Sequence, residues 1–426
     1  MNIRRFVWLA VLVCSATPVL AQQRDSLLDA LVQEALAQNP TVAQRQAAAR
    51  AAMLRIRSAG ALPDPMLTAG VMDLVLPRFA FNQSDFTELD AELSQNFPWP
   101  GSLGARAGAA KATAAGAQAE EQATRREITA MMADAYYRLQ YAVSALASLR
   151  HQLTLLDAAV QISTIRYGTG VAPQSDPLQA KLSRDRLQLE ALSAESDRVS
   201  ALAAVNALRN HSANDPLPVA PIDAAAVRAG ATPPPSPDSL VAAALATHPR
   251  LAARHAALDE AARMIQVERL GGRPDFTLML RYGYRPRSFN FNPPDFFSAS
   301  VGVRLPLWAG RKQHPLTDAA RAEYVAASAE LRDTELQLGR DVTETAARVA
   351  AAQQRLALLV DHVVPAAQGT VESVLRSYQV GRAEFLTLLS VEDARYRAEL
   401  EAAEVAAYYQ TQLVRLRQLT ARESQP

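Results

Sequence analysis

The side chains with the most chemical capacity are scattered along this chain. Six histidines stand at positions 151, 211, 248, 255, 314 and 362. None lies in a His-Glu-x-x-His run, which would turn two imidazoles toward one metal ion. His248 and His255 are about two helical turns apart, and both read more simply as surface residues than as a metal pair. Met131 and Met132 offer thioethers suited to copper, yet they sit in a run with helical apolar spacing and read as core. Glu120 and Glu121 read as a solvated helix face. No catalytic constellation, metal site or cofactor site is therefore expected. Two arrangements carry more meaning. Glu88, Asp90 and Glu92 are spaced by two, so an extended strand puts all three on one face. Arg281, Arg285 and Arg304 fall on the matching faces of later strands, and such mixed-sign faces belong beside water. Asp176 opens a helix just past a tight turn. An acid there stabilises the helix dipole by roughly 0.3–1 kcal/mol.

The elements that position these residues are long helices, tight reversals and short strands. Tyr167-Gly168-Thr169-Gly170 ends one helical run, where Gly168 and Gly170 can take positive φ. Ser175 can cap the next helix, and Pro173 and Pro177 suit its first turns. A second version, Tyr378-Gln379-Val380-Gly381-Arg382, follows 211 residues later. Further pairs keep the order: Asn39-Pro40 with His248-Pro249, Pro63-Asp64 with Pro274-Asp275, and Phe97-Pro98-Trp99 with Leu305-Pro306-Leu307-Trp308. The chain is an internal tandem repeat. The first copy runs over 22–209, with its tip at about 167–176. A proline-rich linker over 210–237 is expected to cross the outside. The second copy runs over 238–426, with its tip at about 378–387.

Between these markers the period changes from 3.6 to 2. Strands are expected at about 66–76, 88–97, 276–285 and 297–305, each apolar on one face and polar on the other. A half-buried sheet in a soluble domain alternates in the same way. Two features favour a membrane. Of 25 aromatics, 13 fall in residues 66–100 and 276–308, as in interfacial girdles, with Phe97, Trp99, Tyr282, Tyr284 and Trp308 as the candidate interface residues. The strand pairs are also flanked by helices far too long for an ordinary α/β domain, the first free of proline from Ala105 to about Arg166. Four strands cannot close a barrel, and lipid does not tolerate open edges. Three copies would supply twelve strands, enough for a water-filled lumen. Pro365 predicts a kink or restart in the second long helix.

The bulk numbers agree with export from the cytoplasm. Residues 1–21 read as a signal peptide, with Arg4 and Arg5 ahead of an apolar run and Val19-Leu20-Ala21 as the cleavage site. The single cysteine, Cys14, lies within it. A formal charge of +1 and a pI near 7.9 leave no basic footprint for a nucleic-acid partner.

Over about residues 25–420 the chain resembles the TolC family of outer-membrane efflux channels. The resemblance rests on Tyr167-x-x-Gly170 followed by Asp176-Pro177-Leu178-Gln179-Ala180, on Tyr378-x-x-Gly381, and on the Pro-Trp and Leu-Trp strand exits. Ala172-Pro173-Gln174 and Phe97-Pro98-Trp99-Pro100-Gly101 look most like the heavy-metal efflux components of the CusC/CzcC kind. The resemblance implies a mainly α fold with a transmembrane β-barrel: each repeat gives a long-helix hairpin and a two-strand β-hairpin, and a homotrimer builds a 12-strand barrel and a periplasmic helical tunnel. It implies an outer membrane of a Gram-negative bacterium, contact with its lipid, and docking to a periplasmic adaptor and an inner-membrane transporter. The tips would form the aperture, with Asp176 and Tyr378 matching latch residues of the family and Arg382 one place before the position of a third, held here by Ala383. Thr387 and Ser390 stand where some members carry acidic rings. Glu88, Asp90, Glu92, Arg281, Arg285 and Arg304 would line the barrel lumen. A periplasmic coiled-coil adaptor is the alternative, though such a protein normally carries one helical hairpin.

Overall fold

The computed structural model describes residues 26–74, 80–81, 84–287 and 292–420. The expected signal peptide and Cys14 lie outside these residues. Two helices open the fold, α1 (Ser26–Gln38) and α2 (Pro40–Ala59). Asn39 separates them: its Oδ1 accepts from the Thr41 amide at 2.9 Å, capping a helix that starts with proline. Strands β1 (Met66–Met72) and β2 (Glu88–Phe97) follow, then α3 (Ser102–Gly168) and α4 (Ser175–Leu208). The second repeat has the same order. It comprises α6 (Pro237–Thr247), α7 (Pro249–Gly271), β3 (Asp275–Tyr284), β4 (Phe296–Arg304), α8 (Gln313–Leu358), α9 (Val364–Gln379) and α10 (Phe385–Thr420).

At 67 residues, α3 is about 100 Å long at ~1.5 Å per residue. Both α2 and α4 pack along it, and Asn39 Nδ2 donates to the Leu208 carbonyl at 3.0 Å, fastening the place where these shorter helices meet end to end. His248 occupies the equivalent place in the second repeat. It is not a surface residue: it is buried, and its Nδ1 accepts from the Arg250 amide at 3.2 Å to cap α7.

The kink expected at Pro365 takes a definite form. A π-helical turn, Leu359–Val363, separates α8 from α9, and Pro365 is the second residue of α9. Proline lacks an amide and its ring crowds the carbonyl four residues earlier, so the turn before it widens.

The core is a belt at mid-length rather than a single centre. Ile128, Met132, Ala135 and Leu139 of α3 pack with Leu28, Leu31 and Ala35 of α1 and with Leu202 and Val205 of α4. A second cluster joins Leu240 and Ala244 of α6 to Leu338, Val342 and Val349 of α8 and Tyr409 of α10. The linker does more than pass outside. It forms the short helix α5 (Ala224–Ala229), and Ile222 and Val227 pack against the belt clusters.

The four strands make one antiparallel sheet in the order β1-β2-β3-β4. The β2–β3 ladder joins the two repeats, from Phe97 opposite Phe276 to Leu89 opposite Tyr284. That span is about 26 Å at ~3.3 Å per residue, close to the ≈25 Å apolar band of an outer-membrane barrel. β1 ends at Met72, short of the expected 76, and Asp73 turns the chain at φ 50°. β3 and β4 each begin one residue early. Among the described residues β1 and β4 are open edges.

Candidate functional site

The sheet separates its side chains cleanly. One face carries Leu67, Val71, Leu89, Leu93, Phe97, Leu278, Phe297 and Val301, and among the described residues nothing packs on it: Leu67 is 70% exposed and Val301 66%. Apolar surface of that extent needs a solvent other than water. Aromatic residues mark both ends of this face. Near the helices the Trp99 and Phe276 rings stack at 6.1 Å, Arg273 lies 6.0 Å from the Trp99 centroid, and Trp308 is exposed. At the far end Tyr282 and Tyr284 stand exposed, and Tyr282 donates to Asp295 at 2.5 Å.

The opposite face holds the charged residues, though not as one group. Arg281 Nη2 lies 2.9 Å from Glu88 and Arg281 Nε 3.5 Å from Asp90; Arg285 Nε is 3.7 Å from Glu88. Glu92 faces Arg281 across the ladder. Arg304 is at the other end of the sheet, paired with Asp275 at 3.3 Å, so the six charged residues expected on this face fall into two groups. Sequence alternation missed a partner here. Phe296 lies on this polar face beneath Arg285, 4.8 Å from guanidinium to ring centroid, with Arg281 at 5.9 Å. Gly283 makes the room, since a Cβ there would stand 2.2 Å from the Phe296 ring.

At the other end of the molecule the two tips share one backbone design. Gly170 and Gly381 both have φ 72°. Each donates to the carbonyl three residues back, Tyr167 and Tyr378, and the next amide reaches five residues back, Val171 to Arg166 and Arg382 to Ser377. This is the glycine-terminated helix end in which a left-handed residue satisfies two orphan carbonyls. Gly168 is the last residue of α3, and the positive φ belongs to Gly170 instead. Ser175 is likewise inside α4, where its hydroxyl donates to Asp176 at 3.3 Å rather than capping the helix.

The tips touch through an unforeseen residue. Arg166 Nη1 donates to Tyr378 Oη at 2.5 Å, with its guanidinium 5.2 Å from the ring centroid, and Phe385 lies 6.0 Å from the same ring. Within one chain Tyr378 is thus held by Arg166 and not by Asp176. Tyr167 is exposed beside it. Among the described residues the Arg382 and Asp176 side chains form no ion pair.

The sequence matches the family model for outer membrane efflux proteins over residues 31–211 and again over 240–422. The chain belongs to the outer membrane efflux protein family. It is an outer-membrane protein of the TolC type, and the two matched segments are its two repeats. No functionally curated protein matches it by sequence. Its fold is similar to that of the outer membrane protein VceC from Vibrio cholerae, with a TM-score of 0.75 at 20% identity over 92% of this chain and 96% of that one. It is also similar to CusC, with a TM-score of 0.79 at 16% identity over 92% of each chain. The Campylobacter jejuni CmeC outer membrane channel gives 0.77 at 12% identity, over 94% of this chain and 87% of that one. The family is one of channels, and the adaptor alternative is not favoured.

One more polar site escaped the sequence. Arg209 holds Glu34 at 2.6 Å, and His211 bridges Glu34 and Asp215, 2.8 Å from each. The Arg209 hydrogen bond keeps the Glu34 carboxyl below the usual range, against the opposing cost of burial. This network ties α1 to the end of α4, where Asn210 turns at φ 60°.

Proposed function

We propose that this channel works as a homotrimer, as the outer-membrane conduit of a tripartite efflux system. Substrates reach it from an inner-membrane pump through a periplasmic adaptor, and their passage through it is passive. The observation that carries this reading is the four-stranded sheet with a bare apolar face and two open edges. Unpaired strand edges and exposed leucines are tolerable in lipid only when neighbouring copies complete the ladder. Three copies give twelve strands and a lumen lined by Glu88, Asp90, Glu92, Arg281, Arg285 and Arg304. A lumen bearing both signs of charge suits passage without strong ion selectivity.

At the periplasmic end Tyr167, Gly170, Asp176, Tyr378, Gly381 and Arg382 form the aperture and the surface that meets the adaptor. The Arg166–Tyr378 contact supports a closed setting of each tip pair. Metal cations as cargo rest on the first-tip and strand-exit motifs alone. The reading is tested by fractionation and planar-bilayer recording of the purified protein. A heat-modifiable trimer in the outer membrane that conducts ions is expected, and a water-soluble monomer without conductance would overturn it. Growth of a deletion strain on graded metal salts and organic toxins then identifies the cargo.

A further inference from the structure

At mid-length α3 and α10 each set two neighbouring side chains in opposite surroundings. On α3, Met132 is fully buried in the belt while Met131 is 49% exposed; on α10, Tyr409 is 2% exposed and Tyr408 45%. Consecutive residues lie about 100° apart round a helix, so each helix turns a second face away from the belt. A cleft of about 620 Å³ opens on these faces, where α10 ends and α7 begins, with Asp341 of α8 at its margin. Its volume lies within the range of roughly 300–1,000 Å³ typical of sites for small organic molecules.

The charges around the cleft cancel, with four arginines and four carboxylates. Some are already engaged: Arg138 pairs with Asp134 at 3.0 Å, and Asp341 with Arg340 at 2.9 Å. Among the described residues Glu127, Glu404, Arg250 and Arg415 form no ion pair. His248 adds no cation near neutral pH, because burial, reinforced by Arg126 and Arg250, pushes it down to about 4. Gln412 also lines the cleft. It is only 6% exposed, and among the described residues its side-chain carbonyl meets no donor. A buried acceptor left bare is destabilising, and a ligand N–H would relieve it.

We propose that this cleft binds amphipathic zwitterions in transit. A cationic N–H end meets Glu404 and the Gln412 carbonyl, an acidic end meets Arg415, and an apolar body lies along Met131, Ala407 and Tyr408. The inference rests on the export reading and adds a substrate class to it. A lining with free groups of both signs favours a molecule that also carries both. A bare metal ion or a simple anion uses only half of it.

The test uses the purified full-length protein in lipid nanodiscs and the fluorescence anisotropy of two dyes. Rhodamine 19 is a zwitterion with two N–H groups, and rhodamine 6G is its ethyl ester and lacks the carboxylate. Saturable binding of rhodamine 19 is expected, at least fivefold tighter than that of rhodamine 6G. Arg415→Gln should remove that preference, whereas Glu404→Gln and Gln412→Leu should weaken both dyes at least fivefold without lowering the unfolding temperature. Equal binding of the two dyes, or binding indifferent to Glu404→Gln and Gln412→Leu, overturns the proposal. Bilayer conductance of the same preparation separates two kinds of failure. A conducting channel without this dye site sinks the cleft alone, and a non-conducting protein sinks the export reading and the cargo role together.

Discussion

Arg166 and Tyr378, 212 residues apart in sequence, are joined by a 2.5 Å hydrogen bond and by a guanidinium 5.2 Å from the ring centroid. The contact links the last turn of α3 to the last turn of α9, so each chain's two tips are held as a pair. A charged donor on a partly exposed phenol contributes about 1 kcal/mol, and in the proposed trimer three copies would act on one aperture. Tyr378→Phe keeps the ring and loses the bond; Arg166→Ala loses both. Single-channel conductance or open probability in planar bilayers is expected to rise in that order. Asp176→Ala added to Tyr378→Phe should raise it further, through contacts between neighbouring copies. No change on that addition would remove Asp176 from the latch and leave it a helix-dipole partner.

The two tip glycines make a sharper structural prediction. Gly170 and Gly381 have φ 72°, and a Cβ at either would meet nothing within 4 Å. The penalty for alanine is therefore conformational alone, about 1–2 kcal/mol per site. Gly168, the last residue of its helix, should accept alanine without loss. Limited proteolysis at the tips reads this directly. Faster cleavage is expected for Gly170→Ala and Gly381→Ala, and unchanged cleavage for Gly168→Ala.

In the sheet, a Cβ on Gly283 would stand 2.2 Å from the Phe296 ring and 2.6 Å from Glu88 Oε1. Gly283→Ala should destabilise the barrel by about 1–3 kcal/mol through overpacking, seen as a lower heat-modification temperature of the trimer. Phe296→Ala in the same chain should restore much of that loss. A lack of rescue would mean that the Glu88 carboxylate, and not the ring, is the obstacle to a Cβ at Gly283.

His248 gives the protein a pH dependence in the belt. Its folded pKa of about 4 lies below its ordinary 6.5, so between these values the unfolded chain binds more protons. Stability is full above pH 6.5 and falls as the pH drops toward 4, by at most about 3 kcal/mol per chain. Glu34 acts in the same direction at lower pH, because its lowered pKa stabilises the fold until it is protonated. His248→Asn keeps the cap, as Asn39 shows in the first repeat, and removes the titration. Melting temperatures at pH 7 and pH 5 should differ less in the variant than in the parent protein. An equal difference would assign the slope to other groups.

Local physics made much of the fold legible. β2 was readable to the residue because Glu88, Asp90 and Glu92 alternate with Leu89, Ala91 and Leu93 without interruption. β1 was overextended because Leu74 and Leu76 continue the apolar spacing past Asp73, where the backbone turns. The tips were readable because glycine marks a helix end. What stayed hidden depends on register between distant segments: Arg166 with Tyr378, Gly283 with Phe296, Arg209 with Glu34. His248 is an intermediate case. The sequence paired it with Asn39 by position, but the caps that bury both side chains depend on the packing of the helix joints.

In the proposed trimer the open sheet of one chain is closed by its neighbours. Within a chain β1 and β4 are three strand spacings apart, about 14 Å at ~4.8 Å each, beyond an 8 Å bis-maleimide. The decisive measurement is cross-linking of Thr68→Cys with Ser300→Cys, placed on β1 and β4, in isolated outer membranes. Covalent dimers and trimers that survive boiling in detergent are expected. Monomer alone, with both cysteines reactive toward a simple maleimide, would contradict the account.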